Sequence, residues 1–246
     1  MIDLMALLFG RPHTAANPVI MPKAPPAIHP LTGLPLPQDA LSFVETEEDG
    51  SPKYYSQHYT HWDWPAGASG PTAGVGYDFG YVTRAEAVRD WTDIVDDATL
   101  ANMLKGVGLR GEAAGAFVRS HRSEITVTWD QGIAEFQQHE VPKWIERISA
   151  ALPNYKRLPP ECQGAIFSLC YNRGTGGFRD PSQRDFEMRE IYQRMASPNF
   201  AVTPEYLGPI AGYIAAMARI WPNSADLKGR RAREAALFRK GLEGIA

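Results

Sequence analysis

The sequence predicts an α+β fold that is predominantly α, with one small β-hairpin early in its folded part. Three observations carry this. Helix-capping pairs recur along most of the chain, apolar residues behind them repeat at helical spacing, and one glycine-dense stretch breaks the pattern. Helices segregated from a small antiparallel sheet are the layout that results. The chain has 246 residues, 44% hydrophobic and 22% charged. That is enough to bury a full core, and it rules out wholesale disorder, collagen and coiled coil.

Proline sets the first stretch apart: eight of the 20 prolines lie between Pro12 and Pro37. Residues 1–37 therefore read as an extended, polyproline-like extension behind a short apolar head, Leu4 to Phe9. The folded domain is expected over 38–246. Asp39 caps a short helix with Leu41, Phe43 and Val44 inward, ending near Glu48. Five glycines between Gly67 and Gly80 mark turns and the hairpin. Thr83 with Glu86 forms a capping box for a helix to about Ile94. Asp97 caps another to about Lys105, and Gly111 to Ser120 is a third. Thr128 with Gln131 is a second capping box. It opens a long segment with Ile133, Phe136, Trp144, Ile145, Ile148 and Leu152, interrupted at Pro142. Pro159 and Pro160 start a helix whose stripe is Ala165, Ile166, Leu169 and Cys170, stopping before Gly174. Asp180-Pro181 and Thr203-Pro204 read as a cap plus first position for two more helices. The last helix runs from about Ala225 to Gly241.

Composition excludes several function classes. A formal net charge of -3 argues against a protein that grips nucleic acid through a basic surface. Cys162 and Cys170, on one helix, are separated by a rise of about 12 Å, too far for a disulfide, so both are expected free and buried. The longest apolar run, Leu207 to Trp221, contains Pro209 and Arg219, so no transmembrane span is expected. Met1 to Gly10 carries Asp3 and no Lys or Arg, unlike a secretory signal. Synthesis in the cytoplasm is expected, with another route to any substrate outside it.

Three features converge on one segment. Glu45, Glu47, Glu48 and Asp49 end the first helix, with Tyr54 and Tyr55 just beyond. An aromatic run follows: Tyr59, His61, Trp62, Asp63, Trp64 and Pro65. Then comes the glycine-rich stretch from Ser69 to Tyr81. It is not a phosphate loop, since its glycines are spaced G-x-G-x-x-x-G and no apolar strand precedes them. A hairpin presenting Thr72 and Asp78 opposite a helix-end glutamate suits glycoside hydrolysis. That chemistry needs a carboxylic acid to protonate the leaving oxygen, and a second group to hold water or stabilise positive charge. Trp62 and Trp64 read equally as sugar platforms and as core fillers. Asp78 reads as a catalytic carboxylate or as a hairpin brace. Asn172 and Arg173 line a cleft or cap their helix. The cluster Lys228, Arg230, Arg231 and Arg233 reads as a grip on an acidic polymer or, more commonly, as a solvated face paired with Glu234. His58, His61 and Asp63 have no recognised zinc spacing, and neither metal nor cofactor is expected.

The stretch E-x-x-S-x-x-Y-Y from Glu48, followed by W-P-x-G-A-S-G-x-T-x-G-x-G-Y-D-x-G-Y-V-T from Trp64, resembles phage-type lysozymes and the pesticin-like lysozyme toxins. The resemblance continues through Leu158 to Ala165, Ser168-Leu169 and Tyr171 to Thr175. It closes with Leu227-x-x-Arg230-Arg231-x-x-Glu234-x-x-Leu237-Phe238, covering roughly residues 38 to 242. It implies a lysozyme-like domain, its hairpin beside the helix that bears the catalytic acid and a helical bundle C-terminal to it. Glu48 matches the acid, Thr72 the water-positioning threonine and Asp78 the second carboxylate, with Asp63 the other candidate for that place. Tyr55, Trp62, Trp64, Tyr77, Asn172 and Arg173 are the implied sugar contacts. Pro71 and Ala73 depart from the family pattern. The implied activity is an N-acetylmuramidase acting on peptidoglycan, in a delivered antibacterial effector or a phage endolysin, with a carrier or an immunity protein as a possible partner. Chitin or chitosan hydrolysis on the same fold, and non-catalytic wall binding, are the alternatives.

Overall fold

A computed structural model describes residues 36, 38–49 and 51–245. It is mostly helical, with one two-stranded antiparallel sheet. In chain order the elements are α1 Gln38–Asp49, α2 Pro52–His58, β1 Thr72–Ala73, β2 Tyr77–Asp78, α3 Arg84–Trp91, α4 Asp97–Met103, α5 Gly111–His121 and α6 Trp129–Glu135. A π turn, Phe136–Glu140, follows. Then come α7 Val141–Ala151, α8 Pro160–Arg173, α9 Phe186–Ala196, α10 Pro204–Ala216 and α11 Ala225–Glu243. Among the described residues no helix is long and apolar enough to cross a membrane. The proline-rich extension lies outside the described residues apart from Leu36.

Within the expected folded region the described residues form two compact units, one from 49–139 and one from 36–48 with 140–245. Each closes around its own apolar residues. In the first, Trp62, Tyr77, Phe79, Trp91, Met103 and Val127 form the core, and α3, α4 and α5 follow the hairpin in sequence. Both predicted capping boxes are present, Thr83 with Glu86 and Thr128 with Gln131. The cap of α4 is Asp96, one residue before the expected Asp97, because the Asp96 carboxylate reaches the Thr99 N–H at 2.8 Å.

In the second unit α8 is the central helix. Every residue from Cys162 to Cys170 is buried, a wider apolar surface than the predicted stripe, since α7 and α11 both pack on it. Its last turn stops at Gly174, which adopts φ +75°, a conformation that favours glycine. The two cysteines are free and buried. The expected break at Pro142 is displaced to the five residues before it. Proline has no N–H for the preceding turn, so that turn widens to π, and Pro142 sits in the first turn of α7 where no donor is required.

Two expectations about helix starts fail. Asp180-Pro181 opens no helix: the Asp180 carboxylate accepts from the nearby Ser182 N–H at 2.8 Å, forming a turn, and α9 begins only at Phe186. Conversely, α2 was not anticipated. Its start is a Ser51 cap followed by Pro52, the same pattern that correctly marks α10 at Thr203-Pro204.

Candidate functional site

The glycine-rich segment folds as predicted into a hairpin. Thr72 pairs with Asp78 and Ala73 with Tyr77. Gly74 and Gly76 turn the chain with φ +61° and +74°. Gly74 is doubly constrained, since a Cβ there would lie 2.9 Å from Cη2 of Trp91. On the other side of β1, Asp63 forms an antiparallel bridge with Thr72. The Asp63 N–H donates to the Thr72 carbonyl at 3.0 Å, and the Thr72 N–H to the Asp63 carbonyl at 2.8 Å. Directly opposed residues of antiparallel strands project to the same face. Asp63, Thr72 and Asp78 therefore form one row with Thr72 at its centre.

The two carboxylates of this row are in different circumstances. Asp78 accepts from the Gly70 N–H at 3.0 and 3.2 Å and from the Gly80 N–H at 2.8 Å. Gly70 permits this, because a Cβ there would stand 2.4 Å from the Asp78 carboxylate and 2.3 Å from the Gly80 nitrogen. Asp63 is half-exposed, and its ion pair with Arg122 is long, at 3.9 Å. Thr72 is also half-buried, and its hydroxyl donates to the Gly70 carbonyl at 3.3 Å.

Glu48 belongs to the second unit, in the last turn of α1; its side chain lies outside the described residues. Its neighbours are committed elsewhere. Glu45 is buried, and Glu47 takes both forks of the Arg233 guanidinium from α11, at 2.5 and 2.8 Å. Such a bidentate pair fixes geometry as well as charge.

Most of the predicted sugar-contacting aromatics are core side chains. Tyr55 is wholly buried, and its hydroxyl donates to the Val127 carbonyl at 3.2 Å. Trp62 is wholly buried, edge-on to Phe79 and Phe117. Tyr77 is 1% exposed, and its hydroxyl donates to Asp90 at 3.0 Å. None of the three offers a ring face to a ligand. Trp64 is half-buried; its ring lies against Gly115, where a Cβ would approach Cζ3 to 2.5 Å, and its indole N–H donates to the Ser69 carbonyl. Among the described residues of the first unit, the exposed aromatic rings are Tyr54 and Tyr81, 47% and 59% exposed. Both belong to motifs named in the sequence, but neither is among the implied sugar contacts; their place beside the cap Ser51 and the cap Thr83 is the signal available. Arg110 stands 4.9 Å over the Tyr81 ring. Asn172 and Arg173 end α8 in the second unit. Asn172 accepts from Arg231 at 3.2 Å, and Arg173 pairs with Asp185. Among the described residues, no three His, Cys, Asp or Glu side chains are grouped so as to hold a metal.

Residues 39–178 match a family described as a domain of unknown function, DUF8812. The chain belongs to the DUF8812 family. No curated protein matches it. The matched part of this DUF8812 member includes α1, the hairpin row and the end of α8, so Glu48, Asp63, Thr72, Asp78, Asn172 and Arg173 all fall within it. It stops before α9, α10 and α11.

Proposed function

We propose that this DUF8812 member is a lysozyme-like N-acetylmuramidase that hydrolyses the β-1,4 bond between N-acetylmuramic acid and N-acetylglucosamine in peptidoglycan. The observation that carries the reading is the row Asp63–Thr72–Asp78, on a glycine hairpin that follows a helix ending in glutamates. Glu48 is the general acid that protonates the leaving oxygen. Its two neighbours Glu45 and Glu47 being buried or clamped supports that assignment. Thr72 positions the attacking water. Asp63 is the carboxylate that activates it, since the Asp78 oxygens are taken by backbone donors and brace the hairpin. A water activated in this way, rather than a covalent intermediate, inverts the anomeric centre, as the resemblance suggests. The biological setting that fits is a bacteriolytic effector or endolysin acting at the bacterial cell wall, with an immunity protein as the expected partner of an effector.

The test is release of soluble muropeptides from purified peptidoglycan. Glu48→Gln should lower turnover by about 10²–10⁴-fold, as expected for loss of a general acid. Nuclear magnetic resonance of the first product formed should show the inverted anomer. Equal release by wild type and Glu48→Gln would sink the assignment, and hydrolysis of chitin in preference to peptidoglycan would move the substrate.

A further inference from the structure

We propose that the second unit carries a separate anion pocket that takes a carboxylate-bearing ligand. A cavity of about 430 Å³ opens among Arg173, Arg184, Asp180, Trp221 and Leu227, a size suited to a small organic ligand. Three guanidinium groups lie near the Trp221 ring, two of which, Arg173 and Arg184, line the cavity. Arg173, Arg184 and Arg231 lie 5.5, 5.7 and 5.5 Å from its centroid.

Their charges are not equally neutralised. Arg173 is paired with Asp185, which is itself held by Ser182. Arg231 is wholly buried, and Arg230 and Glu234 are buried with it, against the solvated face expected of them. Its Nη2 donates to Asn172 at 3.2 Å and to Glu234 at 2.8 Å, while its Nε and Nη1 have no hydrogen-bond partner. Arg184 is exposed at the rim. The remaining carboxylate of the cavity, Asp180, accepts from the Ser182 N–H. Burial holds Arg173 below the ordinary arginine range and brings Arg231 down to about 10, against the pull of Asp185 and Glu234. An anion seated in the cavity faces the two guanidinium groups that line it, Arg173 and Arg184. A carboxylate matches the planar guanidinium fork, and the Trp221 ring gives a flat apolar surface for whatever adjoins it.

The site shares no residue with the row Asp63–Thr72–Asp78, so it stands or falls independently of the hydrolase reading. The carboxylate has two possible sources, a peptide attached to a wall sugar or a free small acid. The full chain is titrated at low salt with muramyl dipeptide, with citrate and with a neutral N-acetylglucosamine oligomer, following the indole N–H signals by nuclear magnetic resonance. An indole signal that is absent from Trp221→Phe should move with one or both acids and stay still with the neutral sugar. Arg184→Gln should weaken binding about tenfold, the effect of one charge-assisted hydrogen bond. Asp180→Asn, which keeps the turn acceptor and removes a competing charge, should tighten it. Movement with muramyl dipeptide alone identifies the tethered source, and movement with citrate identifies the free acid. No movement with either acid, or equal affinity in wild type and Arg184→Gln, would overturn the proposal.

Discussion

Asp63 and Asp78 flank the same threonine, yet removing either charge should be felt in different measurements. The Asp78 carboxylate satisfies two backbone N–H groups, so Asp78→Ala leaves both donors without their partner. The expected cost is about 2–3 kcal/mol of unfolding free energy in a urea titration. Asp63 contributes to the bridge through its backbone alone. Asp63→Asn should leave the urea midpoint unchanged while lowering turnover on peptidoglycan. The opposite pattern would reverse the two roles. The thiols give a simpler case. Burial pushes Cys162 up to about 12 and Cys170 higher still, so neither should react with a thiol reagent near neutral pH until denaturant is added. Residue identity was legible in the sequence where the constraint is local, as with Thr72 on its glycine hairpin. It was not legible for Tyr55, Trp62 and Tyr77. An aromatic ring beside a candidate site looks the same in sequence whether it faces a sugar or Phe79, and only the packed core decides between them.

Elements were legible to the extent that their ends are. The boxes at Thr83 and Thr128 and the cap at Thr203 are satisfied within three residues. Asp180 has the same chemistry, but its oxygen finds a donor two residues on rather than three, and that difference turns a helix start into a turn. What ties elements together lies further off: Glu47 finds Arg233 across 186 positions, a link no window of sequence contains. This clamp holds the end of α1 that bears Glu48. Arg233 is largely exposed, so Arg233→Ala should cost no more than about 1 kcal/mol of stability. It should nonetheless lower turnover on peptidoglycan, and Arg233→Lys, with a single charged point for a fork, should recover only part. Between α8 and α11, burial raises the Glu234 carboxyl above the ordinary range against the pull of Arg231 and Arg230. A raised folded value means that its contribution to stability is fully present below the unfolded pKa and lost as pH rises through the folded one. The unfolding free energy of wild type relative to Glu234→Gln should therefore shrink as pH rises above about 4.3. A difference that grows would mean that the arginines outweigh burial.

On the scale of the molecule, the net charge of -3 bears on how an anionic polymer is held. Bulk attraction is absent, so binding has to rest on shaped contacts, and clearing of cell walls should decline only gently as salt is raised. Activity that collapses with salt would point to a basic surface instead. The division into two units was not legible from length or composition, because it arises from contacts between distant segments such as 36–48 and 140–245. The hairpin row also sets a clock within its unit. A two-residue hairpin alone is marginal in water, but here the N–H and the carbonyl of Thr72 are both bonded to Asp63 while β2 occupies the opposite edge. The amide proton of Thr72, though its side chain is half-exposed, should exchange with deuterium only when the unit opens as a whole, long after the exposed turn at Gly76 has exchanged.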